Sequence, residues 1–91
     1  MKFYSNHSDQ DLTALLKDGV EAAFDEIYDR YWKKLYNEAY KRLGHAELSE
    51  EVVQDVFVDL WKNIEQRDIQ TLYPYLLTAV RYQVFIVYKK L

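Results

Sequence analysis

Apolar residues recur along this chain at every third or fourth position in four successive stretches, with turn-forming residues between them. That period lets an α-helix present one side to a core. The first stretch, Ser8 to Lys17, puts Leu12, Leu15 and Leu16 on its buried side, with Ser8 as N-cap and acids in its first turn, as the helix dipole prefers. Asp18-Gly19 ends it. The second runs from Val20 to Leu43, where Phe24, Ile27, Tyr28, Tyr31, Leu35 and Ala39 keep the helical rhythm and Gly44 supplies a left-handed terminating residue. Its last turn, Lys41-Arg42, suits the dipole. The third spans Ala46 or Ser49 to Glu65, with Ser49 a candidate N-cap and Val53, Val56, Phe57, Leu60 and Ile64 on one side. A polar connector, NIEQRDIQTLYPY, leads to the fourth, which begins near Pro74, a residue favoured in a first helical turn. Leu76, Leu77, Val80, Val84 and Val87 form its stripe, although YQVFIVY within it also has strand propensity. The expected fold is all-α, a compact bundle of about four helices without a sheet, as one domain over residues 1–91.

The reverse sides of the last two helices depart from an ordinary solvated face. On the third, Glu47, Glu50, Glu51, Gln54 and Asp55 are joined by Val58 and Trp61, which fall among the acids and off the apolar stripe. Five acids (Glu47, Glu50, Glu51, Asp55, Asp59) occur there without a base between Ala46 and Leu60, so the usual pairing one turn on is missing. Such a surface is prepared for an outside partner. On the fourth, Tyr75, Thr78, Tyr82 and Lys89 line up, with Arg81 and Phe85 at the margins. Rings beside cations are the ingredients of a surface for single-stranded nucleic acid.

Composition narrows the class. With 49% hydrophobic and 30% charged residues, two glycines and one proline, the chain is neither disordered nor fibrous, and its 91 residues can bury a core without metal or disulfide help. The absence of cysteine removes disulfides, thiolate metal sites and thiol catalysis, and fits a reducing compartment. MKFYSNHSDQ has no apolar signal core and no run approaches a membrane span, so the expectation is a cytoplasmic protein without membrane insertion. The net charge of -3 conceals a gradient: residues 1–61 carry seven bases against thirteen acids, and residues 62–91 five bases against two acids. One domain can thereby meet two partners of opposite charge.

Enzyme chemistry has no foothold. His7 and His45 are the only imidazoles, both in expected loops or termini, and neither belongs to an HExxH or an i, i+4 histidine pair. There is no glycine-rich phosphate loop and no G-x-S-x-G. The acids of the third helix lack the inward Glu-x-x-His motifs of a di-metal bundle. The expectation is a binding protein with no cofactor and no metal.

The residues AFDEIYDRYWKKLYNEAYKRL, then SEEVVQDVFVDLWKN, then PYLLTAVRYQVFIVYKK together resemble region 2 of the sigma-70 family of bacterial transcription factors, and within it the short extracytoplasmic-function (ECF) sigma factors. The most specific part is Glu50-Glu51-Val52-Val53-Gln54-Asp55-Val56-Phe57 with Leu60-Trp61, similar to the family's AED-L-V-Q-[DE]-x-F-x-x-[LV]-W. The lead-in KDGVEAAFDEIYDRY follows G-D-x-x-A-F-x-x-L-Y-x-x-Y, with Val20 where an acid is usual. The resemblance implies that the third helix docks on the clamp helices of the beta' subunit of core RNA polymerase, through Glu50, Glu51, Gln54, Asp55, Val58 and Trp61. It implies further that the connector and the fourth helix melt promoter DNA and hold the non-template single strand of the −10 element, with Arg67, Tyr73, Tyr75, Arg81, Tyr82, Lys89 and Lys90 as contacts. An anti-sigma factor is a further candidate partner.

Two departures fall on the fourth helix, where Tyr82 replaces an asparagine common after Arg and Ile86 stands where an acid is common. A complete ECF factor would continue through a linker into region 4, which reads the −35 element. This chain stops at Leu91, as a domain cut from a longer protein, which the uncapped apolar end FIVYKKL favours, or as a stand-alone fragment. The alternative function is a helical protein-interaction module whose acidic face meets some other basic partner and which has no DNA role.

Overall fold

The structure is a computed structural model that describes residues 3–90. Its elements are α1 (Asp9–Lys17), α2 (Glu21–Leu43), α3 (Ala46–Asn63), a single 3-10 turn (Ile64–Gln66) and α4 (Leu72–Lys90), with no strand among the described residues. Each expected helix is present. Ser8 caps α1 by accepting from the Asp11 amide at 3.0 Å. Gly44, at φ 62°, closes α2 and donates its amide to the Tyr40 carbonyl, in the left-handed conformation that glycine adopts without a Cβ penalty.

Three boundaries differ from the sequence expectation, each for a local reason. The cap of α3 is His45, whose Nδ1 accepts from the Leu48 amide at 3.2 Å. Ser49 lies inside the helix, buried, and its hydroxyl donates back to the His45 carbonyl at 2.7 Å. The α-helix ends at Asn63, and Ile64 and Glu65 tighten into the 3-10 turn. Finally, α4 begins at Leu72, which makes Pro74 its third residue. The first four amides of a helix have no intrahelical acceptor, so a proline there costs no hydrogen bond. The strand-prone YQVFIVY is helical throughout, with Val84 buried, because packing outweighs a weak local preference.

The long α2 is central, packing against α1, α3 and α4, while α3 also meets α4. Leu12, Ile27, Leu35, Ala39, Leu60, Leu76 and Val80 are completely buried in the shared core. Tyr31 ties three helices together. Its hydroxyl donates to the Asp9 carboxylate at the start of α1, and its ring stacks on Tyr73 of α4 with centroids 5.1 Å apart. Asp9 also accepts from Arg30 at 2.9 Å, and Arg30 reaches Glu26 at 3.1 Å, so the acids at this seam are neutralised. Among the described residues no helix is long and apolar enough to cross a membrane.

Burial first, and then the hydrogen bond to Asp9, push the Tyr31 phenol up to about 12. A folded pKa above the unfolded value of about 10 contributes stability that is complete below pH ~10 and is lost as pH rises through ~12. Tyr31→Phe should therefore remove a late-ionising phenol from the ultraviolet titration and cost about 1 kcal/mol in urea unfolding at neutral pH. Titrations identical in the two proteins would show that Tyr31 does not hold α1.

Candidate functional site

The 3.6-residue period of α3 that buries Val52, Val53, Val56, Phe57 and Leu60 turns Glu47, Glu50, Glu51, Gln54, Asp55, Val58 and Trp61 outward, and all seven are exposed. None of Glu47, Glu50, Glu51 and Asp55 takes part in an ion pair among the described residues. Asp59, the fifth acid of the sequence reading, is different. It accepts from Asn63 one turn on at 2.7 Å, and from Arg67 at 3.0 Å across eight positions, a separation that no one-turn rule anticipates. Four acids, not five, stand without a cation.

Val58 is 49% and Trp61 38% exposed, an apolar island among those acids. Trp61 rests edge-on against Phe24, at 5.0 Å between centroids, and Phe24 meets the buried Phe57 edge-on at 6.1 Å. This chain of rings holds the indole in a fixed pose at the surface. Around it, Glu21, Phe24, Asp25, Val58 and Lys62 line an open cleft of about 370 Å³. The geometry suits insertion of an apolar side chain from a partner whose cations neutralise the flanking acids.

The second group of candidate residues is not one surface. Helical spacing puts Thr78, Tyr82, Phe85 and Lys89 on one outward stripe of α4, with Tyr82 62% and Phe85 57% exposed and the Lys89 ammonium 5.5 Å from the Phe85 ring. Lys90 is exposed at the end of the helix. Tyr75 is half-buried near the opposite end, with its phenol raised by that burial. Tyr73 points the other way, stacked on Tyr31 with Lys34 5.3 Å from its ring. Beside it, the start of α1 (Ser8, Asp9, Gln10, Thr13) and the connector (Ile69, Gln70, Thr71) enclose a cleft of about 320 Å³.

Both candidate arginines are held by carboxylates. Arg67 secures the connector to α3 through Asp59, and Arg81 reaches Glu38 of α2 at 3.3 Å. Glu38 also binds Arg42 at 2.7 Å, and the Tyr88 hydroxyl donates to the Arg42 carbonyl. Glu38 and Tyr88 carry no functional signal in the sequence, and Arg42 shows there only as a dipole partner at the end of α2. Arg81 and Glu38 lie 43 positions apart, so no sequence spacing marks the pair.

The chain is thus an all-α bundle with an acidic face around an exposed tryptophan on its third helix and exposed rings beside lysines on its fourth. The chain belongs to the Sigma-70 region 2 family, whose model matches residues 27–86. It is similar to the ECF RNA polymerase sigma factor SigW of Bacillus subtilis (strain 168), with 35% identity over 54 residues, 59% of this chain and 29% of that protein. The matched segment is thus less than a third of the relative's length. No solved structure matches the chain.

If the outward face is separate from the core, Trp61→Ala should cost the fold less than about 2 kcal/mol, against about 3 to 5 kcal/mol for Phe57→Ala. Urea unfolding of both variants tests this. Equal losses would make Trp61 a core residue.

Proposed function

We propose that this chain docks on the clamp helices of the beta' subunit of core RNA polymerase through α3, and holds the melted non-template strand of the promoter −10 element with its connector and α4. The observation that carries the reading is the outward face of α3, where four carboxylates outside any ion pair share one exposed surface with Val58 and Trp61. A basic helical partner satisfies both features together. Its cations speed encounter and fix register on Glu50, Glu51 and Asp55, while burial of Trp61 and Val58 supplies most of the affinity.

For DNA, Tyr82 and Phe85 offer rings on which unstacked bases lie, and Lys89 and Lys90 follow the phosphates. The cleft between the start of α1 and the connector is wide enough to receive a flipped base against Tyr73, with Asp9, Thr13 and Thr71 as hydrogen-bonding groups on its walls. Arg67 takes part from its place on Asp59, as an anchor of the connector and a cation near the strand. An anti-sigma factor would compete at the same acidic face.

Trp61→Ala should weaken binding to core polymerase by about thirty-fold, the effect of losing a hot-spot aromatic, with an unchanged circular dichroism spectrum. Reversal of Lys89 and Lys90 to Glu should weaken binding to a single strand and flatten its salt dependence while sparing polymerase. A folded chain that binds neither polymerase nor its clamp helices would sink the docking reading. Polymerase binding without any affinity for single strands at low salt would favour a protein-interaction module with no DNA role.

A further inference from the structure

Glu38 sits near the end of α2 with its side chain only 12% exposed, yet it serves three cations. One carboxylate oxygen, Oε2, accepts from the Nε of Arg42 at 2.7 Å and from the Nε of Arg81 at 3.3 Å, and Lys41 Nζ lies 4.0 Å from Oε1. Both arginines bind through Nε alone. Their terminal amino groups have no hydrogen-bond partner among the described residues, and the two side chains are 40% and 51% exposed.

A bridge between α2 and α4 would need only one guanidinium. Here a second guanidinium and an ammonium crowd the same carboxylate, leaving a surplus of two positive charges that repel one another unless an anion arrives. The position of the pair is fixed from both sides, because Tyr88 donates to the Arg42 carbonyl and joins the last turns of α4 to the end of α2. The bond from Arg42 is the chief reason that the Glu38 carboxyl lies below its ordinary range, against the opposing effect of burial, and Arg81 adds to it. The anchor therefore stays ionised at neutral pH. Two planar forks held by their inner nitrogens, with the outer nitrogens unused, match the paired oxygens of a phosphate.

We propose that Glu38 is a positioning residue that sets Arg42 and Arg81 as a guanidinium pair for a phosphodiester of the nucleic-acid backbone. This rests on the DNA-binding reading above and extends it to α2, a helix to which that reading assigned no DNA contact. Arg81 is next to the exposed Tyr82 and one turn before the exposed Phe85 on α4, so the pair adjoins the rings on which bases would stack. Preorganisation by Glu38 lowers the entropy lost when the forks bind.

The test is binding of fluorescein-labelled oligonucleotides of mixed sequence, single-stranded in one arm and duplex in the other, across a salt series. The proteins are the wild-type chain, Arg42→Ala, Arg42→Lys and Glu38→Gln, each checked for helicity and for polymerase binding. Arg42→Ala should lower the salt slope by about 0.7 for a single strand or about 0.9 for a duplex, with polymerase binding unchanged. Arg42→Lys should restore the slope without restoring the affinity, since it returns the charge and lacks the fork.

Glu38→Gln discriminates most sharply. It makes the surface more positive, so charge alone predicts tighter binding, whereas loss of positioning predicts binding several-fold weaker. The arm that responds identifies the phosphate as belonging to strand or duplex. Arg42→Ala equal to wild type, or Glu38→Gln tighter than wild type, would overturn the proposal while leaving the wider DNA reading in place. A wild-type chain that binds neither oligonucleotide at low salt overturns both. If Glu38→Gln loses helicity, the comparison of Arg42→Ala with Arg42→Lys decides.

Discussion

The structure depends on the burial of one long stripe of α2 against three other helices at once. Ala23, Ile27, Leu35 and Ala39 have no exposed surface, and Tyr31 nearly none, so rotation of α2 would expose apolar area to water along its whole length. With α2 fixed, α3 has a single azimuth that covers Val52, Val56, Phe57 and Leu60, and α4 a single one that covers Leu76, Val80 and Val84. The outward faces of both helices are then consequences of the core. Trp61 stands at the surface because Phe57 and Leu60 do not, and Phe24, at the margin of the α2 stripe, supports it from beneath.

Charge is distributed on the same frame with a clear division. Several carboxylates at the seams between elements have acquired a guanidinium: Asp9 and Glu26 share Arg30, Asp59 holds Arg67, and Glu38 holds Arg42 and Arg81. These pairs are partly exposed and each contributes little to stability in isolation. Where a pair crosses elements, as Asp9 with Arg30, Asp59 with Arg67 and Glu38 with Arg81 do, its effect is geometric, since it ties together segments apart in sequence. On the outward face of α3, Glu47, Glu50, Glu51 and Asp55 stand outside any ion pair among the described residues, so acid gathers there although the net charge is only -3.

Much of this was legible in the sequence. The number of helices, their core stripes and the outward position of Glu50, Glu51, Gln54, Asp55, Val58 and Trp61 follow from a 3.6-residue period, because the information lies within a few turns of one helix. What escaped was set by contacts over longer spans or by a choice between local rivals. Ser49 and His45 can both cap α3, and the core decides by drawing Ser49 inside the helix. The stacking of Tyr73 is invisible in the sequence, since it depends on a ring of α2 that lies far off in the chain. The pairing of Asp59 with Arg67 crosses the end of α3 and a 3-10 turn, so a face that reads as five lone acids contains four.

A carboxylate that holds an arginine competes with any anion for the same guanidinium. A guanidinium bound at one edge to a carboxylate still has its other donors, and its planar fork is then restrained in direction, whereas an unrestrained arginine loses much of its rotamer freedom on meeting a phosphate. Cost enters only if the carboxylate must be displaced. Asp59 occupies a terminal nitrogen of Arg67 through both of its oxygens, so that arginine has less to offer a strand without releasing the connector. Glu38 takes only the inner nitrogens of Arg42 and Arg81. The two carboxylates thus leave the arginines unequally engaged: Arg67 is tied to α3 through a terminal nitrogen, and the pair on Glu38 keeps its terminal donors without a partner among the described residues.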